Sequence, residues 1–231
     1  MSPRTKIAVV IVGVALVVFV GAPWVYINVI REPAVESFVE QITATSLAET
    51  SSGTSGFFAL DPTGTWNVAA DSQVGYRVDE VYFGQNITAV GRTKGVTGSV
   101  TIADLTVVDA EFTADMASVK SDEPKRDSQF ESRIMDVLNY PTATFVLTSP
   151  ITIAPTALTT TVTHAATGSL TLRGATKPVE VTVVSTIRDA GIVLAGKIVI
   201  VFAEWGIPNP SLPGISTEDS GVLEFQLILN R

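Results

Sequence analysis

A chain of 231 residues that is 46% hydrophobic and 16% charged is long enough for one substantial core with appendages, and too apolar to stay disordered. Its formal net charge of -8 excludes nucleic acid as a partner, because phosphate binding rests on a basic patch that releases counterions. The lack of cysteine excludes a disulfide framework and thiolate chemistry, and one histidine leaves no spacing for an imidazole metal site, so neither metal nor cofactor is expected.

The first element is "IAVVIVGVALVVFVGAPWVYI", Ile7 to Ile27. It holds about 20 residues without a charge, enough at about 1.5 Å rise per residue to cross the hydrocarbon core of a bilayer. It predicts a single transmembrane helix within residues 1–30. Arg4 and Lys6 precede it, while Arg31 and then acids follow. The positive-inside rule therefore puts the N-terminus in the cytoplasm and the rest of this cell-membrane protein outside. A cleaved signal peptide is the alternative, with "VGA" before Pro23 as its cleavage site. Proline is a poor residue after a cut, and Trp24 and Tyr26 fit an interfacial aromatic belt.

Residues 31–64 read as an extracytoplasmic linker. The part "REPAVESFVEQITATSLAETSSGTSG" (Arg31 to Gly56) is rich in Ser, Thr and Glu and ends in a Gly/Ser stretch, as flexible tethers do. A short amphipathic helix and plain coil both suit residues 34 to 49.

From residue 65 to 231 the periodicity is two. Val74, Tyr76 and Val78 alternate with Gly75, Arg77 and Asp79, while Val90, Val96, Val100 and Ile102 share one parity. The same alternation runs through Val108, Ala110, Phe112, Ala114 and Met116, then Phe145, Leu147, Ile151 and Ile153, then Ile192, Leu194, Ile198, Ile200 and Phe202. Turn signals such as "SDEP", "SPITIAPT", "RGAT" and "RDAG" separate the runs. About eight strands result, several long enough to span roughly 35 to 45 Å. One segment differs. "SDEPKRDSQFESRIMDVLNYP" (Ser121 to Pro141) carries Phe130, Ile134, Val137 and Leu138 at spacings of three and four, with Pro141 as a stop, and predicts one short helix. A lone helix in an antiparallel all-β chain suits a closed barrel.

Four blocks then carry a resemblance: "TWNVAADSQVGYRV", "KRDSQFESRIMDVLNYPTATFVLT", "TGSLTLRGATKPVEVTVV" and "FAEWGIPNPSLPGISTEDSGVLEFQL". Their order and spacing resemble the YceI-like family. Trp66, Asp71 and Ser72 are similar to its opening block. Arg126, Asp127, Ser132, Asp136, Tyr140, Pro141 and Phe145 match its second, and Gly168, Leu170, Thr171 and Gly174 its third. Gln129 stands where the family usually has His, and "FAEWG" where it has Arg-x-Asp-Phe-Gly. The resemblance implies an extended, eight-stranded, lipocalin-like antiparallel barrel of the bacterial cell envelope, binding a polyisoprenoid or isoprenoid quinone in its lumen, with no enzyme activity.

Side-chain size agrees with a hollow barrel. An eight-stranded barrel has room for packed side chains or one slim ligand, and Ala110, Ala114, Ala166, Gly168 and Gly196 are small residues on the inward parity. They leave a channel or sit under bulky neighbours. By parity and size the lumen candidates are Tyr76, Ala110, Phe112, Ala114, Met116, Phe145, Leu170, Leu194, Ile198, Phe202 and Trp205. His164 shares the inward parity or ends a strand in solvent. Asp109, Glu111 and Asp115 take the outer face or hold a Ca²⁺ ion, Arg126 and Asp127 cap the helix and salt-bridge it to the wall or touch ligand, and "WGIPNPSLPGISTEDSG" (Trp205 to Gly221) forms a mouth or lid or a stiff surface connection. No Gly-x-Ser-x-Gly elbow accompanies the histidine, so a lipid-modifying enzyme is the weakest alternative. A filled barrel using its outer face as an interaction module is the stronger one, and a homodimer is left open.

Overall fold

The computed structural model describes Pro3, Thr5 and residues 21–31, 33–51, 61–158, 160–188 and 191–231. Eight antiparallel strands form the barrel wall: β1 (Gly64–Val68 and Gln73–Tyr82), β2 (Gln85–Thr93 and Val96–Ala103), β3 (Thr106–Asp115 and Lys120–Ser121), β4 (Thr142–Leu147 and Ile151–Thr152), β5 (Val162–Leu172), β6 (Ala175–Arg188), β7 (Gly191–Val201) and β8 (Ser220–Asn230). Each pairs with the next, and β8 returns to β1 through Val68↔Leu229 and Tyr76↔Leu223. Every ladder edge is thereby paired, which closes the sheet without exposed edges.

Val, Ile and Thr recur along these strands because their branched side chains suit a pleated, half-buried surface. Tight two-residue turns join them at Phe83–Gly84, Asp104–Leu105 and Arg173–Gly174, all with positive φ at both positions, the backbone twist that matches paired strands. The first and third of these turns lie at one end of the barrel, called here the upper end. Asp104–Leu105 lies at the lower.

The first three strands break at one height. Residues 69–72, 94–95 and 116–119 interrupt β1, β2 and β3, and the gaps touch laterally. Lys94 Nζ lies 2.9 Å from Asp71 Oδ1, Asp115 N–H donates to Gly95 O at 2.7 Å, and the Thr93 and Ser118 hydroxyls are 2.5 Å apart. Ser72, fully buried, accepts from Ile228 N–H at 2.9 Å. Side chains here take over the backbone groups that a ladder would otherwise satisfy. Across this crease β2 changes phase: Ala89 faces the lumen above it, Val96, Val100 and Ile102 below it. Val90, expected to share their parity, therefore faces outward. A bulge at Thr101/Ile102 pairs Val107 with Ile102, so Val107 turns inward and Val108, expected inside, is exposed.

Among the described residues three helical segments longer than four residues decorate the barrel: α1 (Ala22–Val25, continuing as a wider turn through Tyr26–Ile30), α2 (Phe38–Ser51) and α3 (Pro124–Gln129, continuing through Phe130–Ile134). Glu123 caps α3 by accepting from Lys125 N–H at 3.3 Å, and Phe130, Met135 and Val137 bury. Asp136 adopts φ 51 and ends the helical phase, so Leu138, expected on the buried face, is fully exposed.

Of the expected linker, Phe38–Ser51 is helix, and its first turn packs on the outer wall. Phe38 and Ile42 are buried against Val184, Val193 and Ala195. The Arg92 guanidinium stacks 3.9 Å from the Phe38 ring and pairs with buried Glu224 at 2.8 Å. Arg92 and Arg77 also donate to the carbonyls of Glu36 and Val35, both at 2.6 Å. Among the described residues no helix is long and apolar enough to cross a membrane. Residues 7–20 of the span expected over 7–27 lie outside the described residues.

Candidate ligand-binding site

The barrel axis is hollow. A cavity of about 300 Å³ runs between the ends, from Val78, Glu80, Arg126 and Ile207 at the upper end, past Phe112, Leu170, Ile198 and Phe225, to Ile102, Ile153, Ile187 and Ile192 at the lower. That volume falls in the range of small-molecule pockets. Its wall is almost entirely carbon. Water has few partners here.

Of the residues chosen by parity and size, Tyr76, Ala110, Phe112, Ala114, Met116, Phe145, Leu170, Leu194, Ile198 and Phe202 line this cavity. Trp205 does not. The strand alternation ends at Val201, and the tight turn Phe202–Trp205 turns Phe202 inward while Trp205 buries beside the wall, its ring 5.8 Å from Lys177 Nζ. Ala166 also lines the lumen. Gly168 and Gly196 serve differently: a Cβ at either would meet the Phe145 ring at 2.2 Å or the Phe225 ring at 2.5 Å. These glycines let two rings lie close along the wall instead of standing across the lumen. Trp66 is buried in the lower half, its indole N–H donating to Pro62 O at 2.8 Å.

Polar groups gather at the upper end. Arg126 lies 3.8 Å from Glu80 and also pairs with Asp122, which accepts from Arg31 Nε at 2.9 Å. Burial pushes the Glu80 carboxyl up against the pull of Arg126 and Arg31, and raises the Tyr76 hydroxyl well above its ordinary value. Burial also works against ionisation of Asp122, but the Arg31 hydrogen bond and the charges of Arg126 and Arg31 outweigh it and hold that carboxyl below its usual range. Asp127 accepts from Ser121 N–H at 2.8 Å and Oγ at 2.6 Å, fixing the helix as expected. Glu80 was not among the lumen candidates, although it shares the parity of Tyr76 and Val78, the signal that places it inward. His164 lines the lumen nearer the lower end, half-buried, with its pKa lowered by burial. Asp109, Glu111 and Asp115 are on the outer face. Among the described residues no three His, Cys, Asp or Glu are grouped to hold a metal.

The long loop after β7 is partly ordered by pairing. Residues Ile215–Thr217 form a short strand beside β1, with Thr217↔Glu80, while Ile207 and Pro210 reach the cavity.

No curated protein matches this chain. Among solved structures, a polyisoprenoid binding domain from Saccharophagus degradans implicated in plant cell wall breakdown superposes with a TM-score of 0.57 at 13% identity, covering 73% of this chain and 98% of that one. BcnA of Burkholderia cenocepacia gives 0.52 at 22% identity, covering 66% and 95%. These likenesses are of fold. The YceI-like domain matches residues 66–229, the whole closed wall from Trp66 to Leu229, and the chain belongs to that family.

Proposed function

We propose that this protein is a membrane-anchored, extracytoplasmic carrier that holds the chain of a polyisoprenoid or isoprenoid quinone in its barrel. The observation that carries this reading is the apolar cavity of about 300 Å³ along a closed barrel. A flexible hydrocarbon chain gains about 0.8 kcal/mol for each CH₂ removed from water, so a few isoprene units offset an association cost of several kcal/mol. The S. degradans domain, a polyisoprenoid binder by its description, supports the same class. The uncleaved anchor over 7–27 rests on the charge asymmetry and aromatic residues of the sequence.

The head group is uncharged in this reading. Arg126 and Arg31 are already compensated by Glu80 and Asp122, so these two guanidinium groups are engaged before any diphosphate arrives. A filled barrel working through its outer face fits less well, because the lumen is not filled.

Native mass spectrometry of the full chain released from detergent tests the reading. Wild type is expected to retain one isoprenoid mass, and Ala110→Phe with Ala114→Phe to lose it while keeping its β-sheet circular dichroism. Equal occupancy in that folded double variant would sink the lumen assignment.

A further inference from the structure

The upper end of the barrel carries an apolar surface that the fold itself does not use. Val81, Phe83 and Leu212 are 40%, 46% and 39% exposed. Phe83 sits at φ 45 in the β1–β2 turn, where asparagine is favoured and a bulky side chain is strained. Its N–H donates to Gly214 O at 2.8 Å and its ring rests on Gly214, clasping the turn to the loop after β7. Tyr82 meets the Phe83 ring edge-on at 5.0 Å, and Tyr26 of α1 meets Tyr82 at 6.1 Å.

α1 continues this surface. Asn28 Nδ2 donates to Gln85 Oε1 at 3.0 Å, fixing the segment to the same turn, and Trp24, Val29 and Ile30 are exposed. In sequence α1 ends the uncharged apolar run that begins at Ile7. Trp and Tyr beside aliphatic side chains are the composition of a membrane interface. The lower end offers the exposed, charged Asp104 in the corresponding turn. The cavity reaches the upper end between Phe130, Ile134, Ile207 and Pro210.

We infer that this end of the barrel docks on a bilayer surface, with Phe83 and Leu212 dipping into the headgroup boundary and the cavity mouth held against the lipid. The occupant is a bilayer because the chain's longest apolar run leads into this patch. Apolar insertion rather than charge drives the contact: at a net charge of -8 the protein is not drawn to anionic lipid. Such docking buries side chains about 5–10 Å into the interface. It goes beyond the carrier reading, and a barrel that carries nothing would dock in the same way.

The absence of native cysteine permits single labels. Phe83→Cys, Leu212→Cys and Asp104→Cys in the full chain would each carry an environment-sensitive fluorophore on phosphatidylcholine vesicles containing spin-labelled lipid. Docking predicts loss of emission at 83 and 212, stronger with the spin label near the headgroup than at the acyl end, and none at 104. It also predicts that Phe83→Ser with Leu212→Ser abolishes quenching of a label at Val81→Cys, and that added salt leaves the signal unchanged. Three labels equally unquenched would overturn it. So would labels at 83 and 212 that are shielded without vesicles in a protein of doubled mass, which would make the patch an interface between copies. Lipid uptake is not read, so failure of the carrier reading leaves these outcomes separate.

Discussion

The rings of Tyr76 and Phe130 stack nearly parallel, 5.2 Å between centroids, and this pair ties the first strand of the wall to the helical segment at the mouth of the cavity. Tyr76 faces the lumen and Phe130 comes down from α3, so the contact joins wall and mouth. Phe130→Ala is expected to lower stability by about 3 kcal/mol, the usual loss for a buried ring, and to speed exchange of bound lipid. Urea unfolding and a lipid exchange assay read the two effects. Faster exchange without a stability loss would detach the mouth from the fold's energetics.

The ring of Phe145 lies where a Cβ on Gly168 would be. Gly168→Ala is therefore expected to push that ring into the lumen, lowering lipid occupancy and stability, the latter by about 1–3 kcal/mol as overpacking does. Adding Phe145→Leu should restore occupancy, a coupling that a double-mutant cycle detects. Occupancy unchanged in Gly168→Ala would show that the ring yields elsewhere.

Glu224 is 1% exposed and depends on Arg92. Arg92→Ala leaves a buried carboxylate short of its partner, and the expected loss is about 3–5 kcal/mol. Glu224→Gln removes the charge, leaves Arg77 and Arg92 (20% and 17% exposed) still bonded to the carbonyls of Val35 and Glu36, and should cost less. Denaturation midpoints order the two variants, and the reverse order would refute this account.

Burial lowers the pKa of His164 below its ordinary 6.5 in the folded state. Between that value and the folded one the unfolded chain binds the extra proton, so stability falls as pH drops through this window. His164→Gln should remove this acid-side loss while leaving the melting temperature at pH 8 near that of wild type. A pH profile unchanged by the substitution would rule out His164 as its source.

Period two made the wall legible. Val74, Tyr76 and Val78, or Ile192, Leu194 and Ile198, can be placed inward from sequence because both lie in uninterrupted ladder. The misplaced residues mark where the period breaks for reasons outside the strand. Val90 lies across the crease from Val96, Val108 sits in a bulge, Leu138 follows a left-handed residue, and Trp205 falls just beyond a strand end. The polar set at the mouth draws Glu80 from β1, Asp122 and Arg126 from the α3 region and Arg31 from the N-terminal segment. Such a convergence needs the closed fold, and no local pattern shows it.

The crease across β1, β2 and β3 works as an expansion joint. In an unbroken ladder one extra residue turns every later side chain to the wrong face, and the error would run the full height of the barrel. Here the ladder already stops at one level on three adjacent strands, bridged by Lys94, Asp71, Thr93 and Ser118. Each half of the wall thus keeps its own count. An alanine inserted after Lys94 is expected to leave a folded barrel by circular dichroism, whereas the same insertion after Val100 is not. The shell can therefore vary in length at its waist without losing its lining.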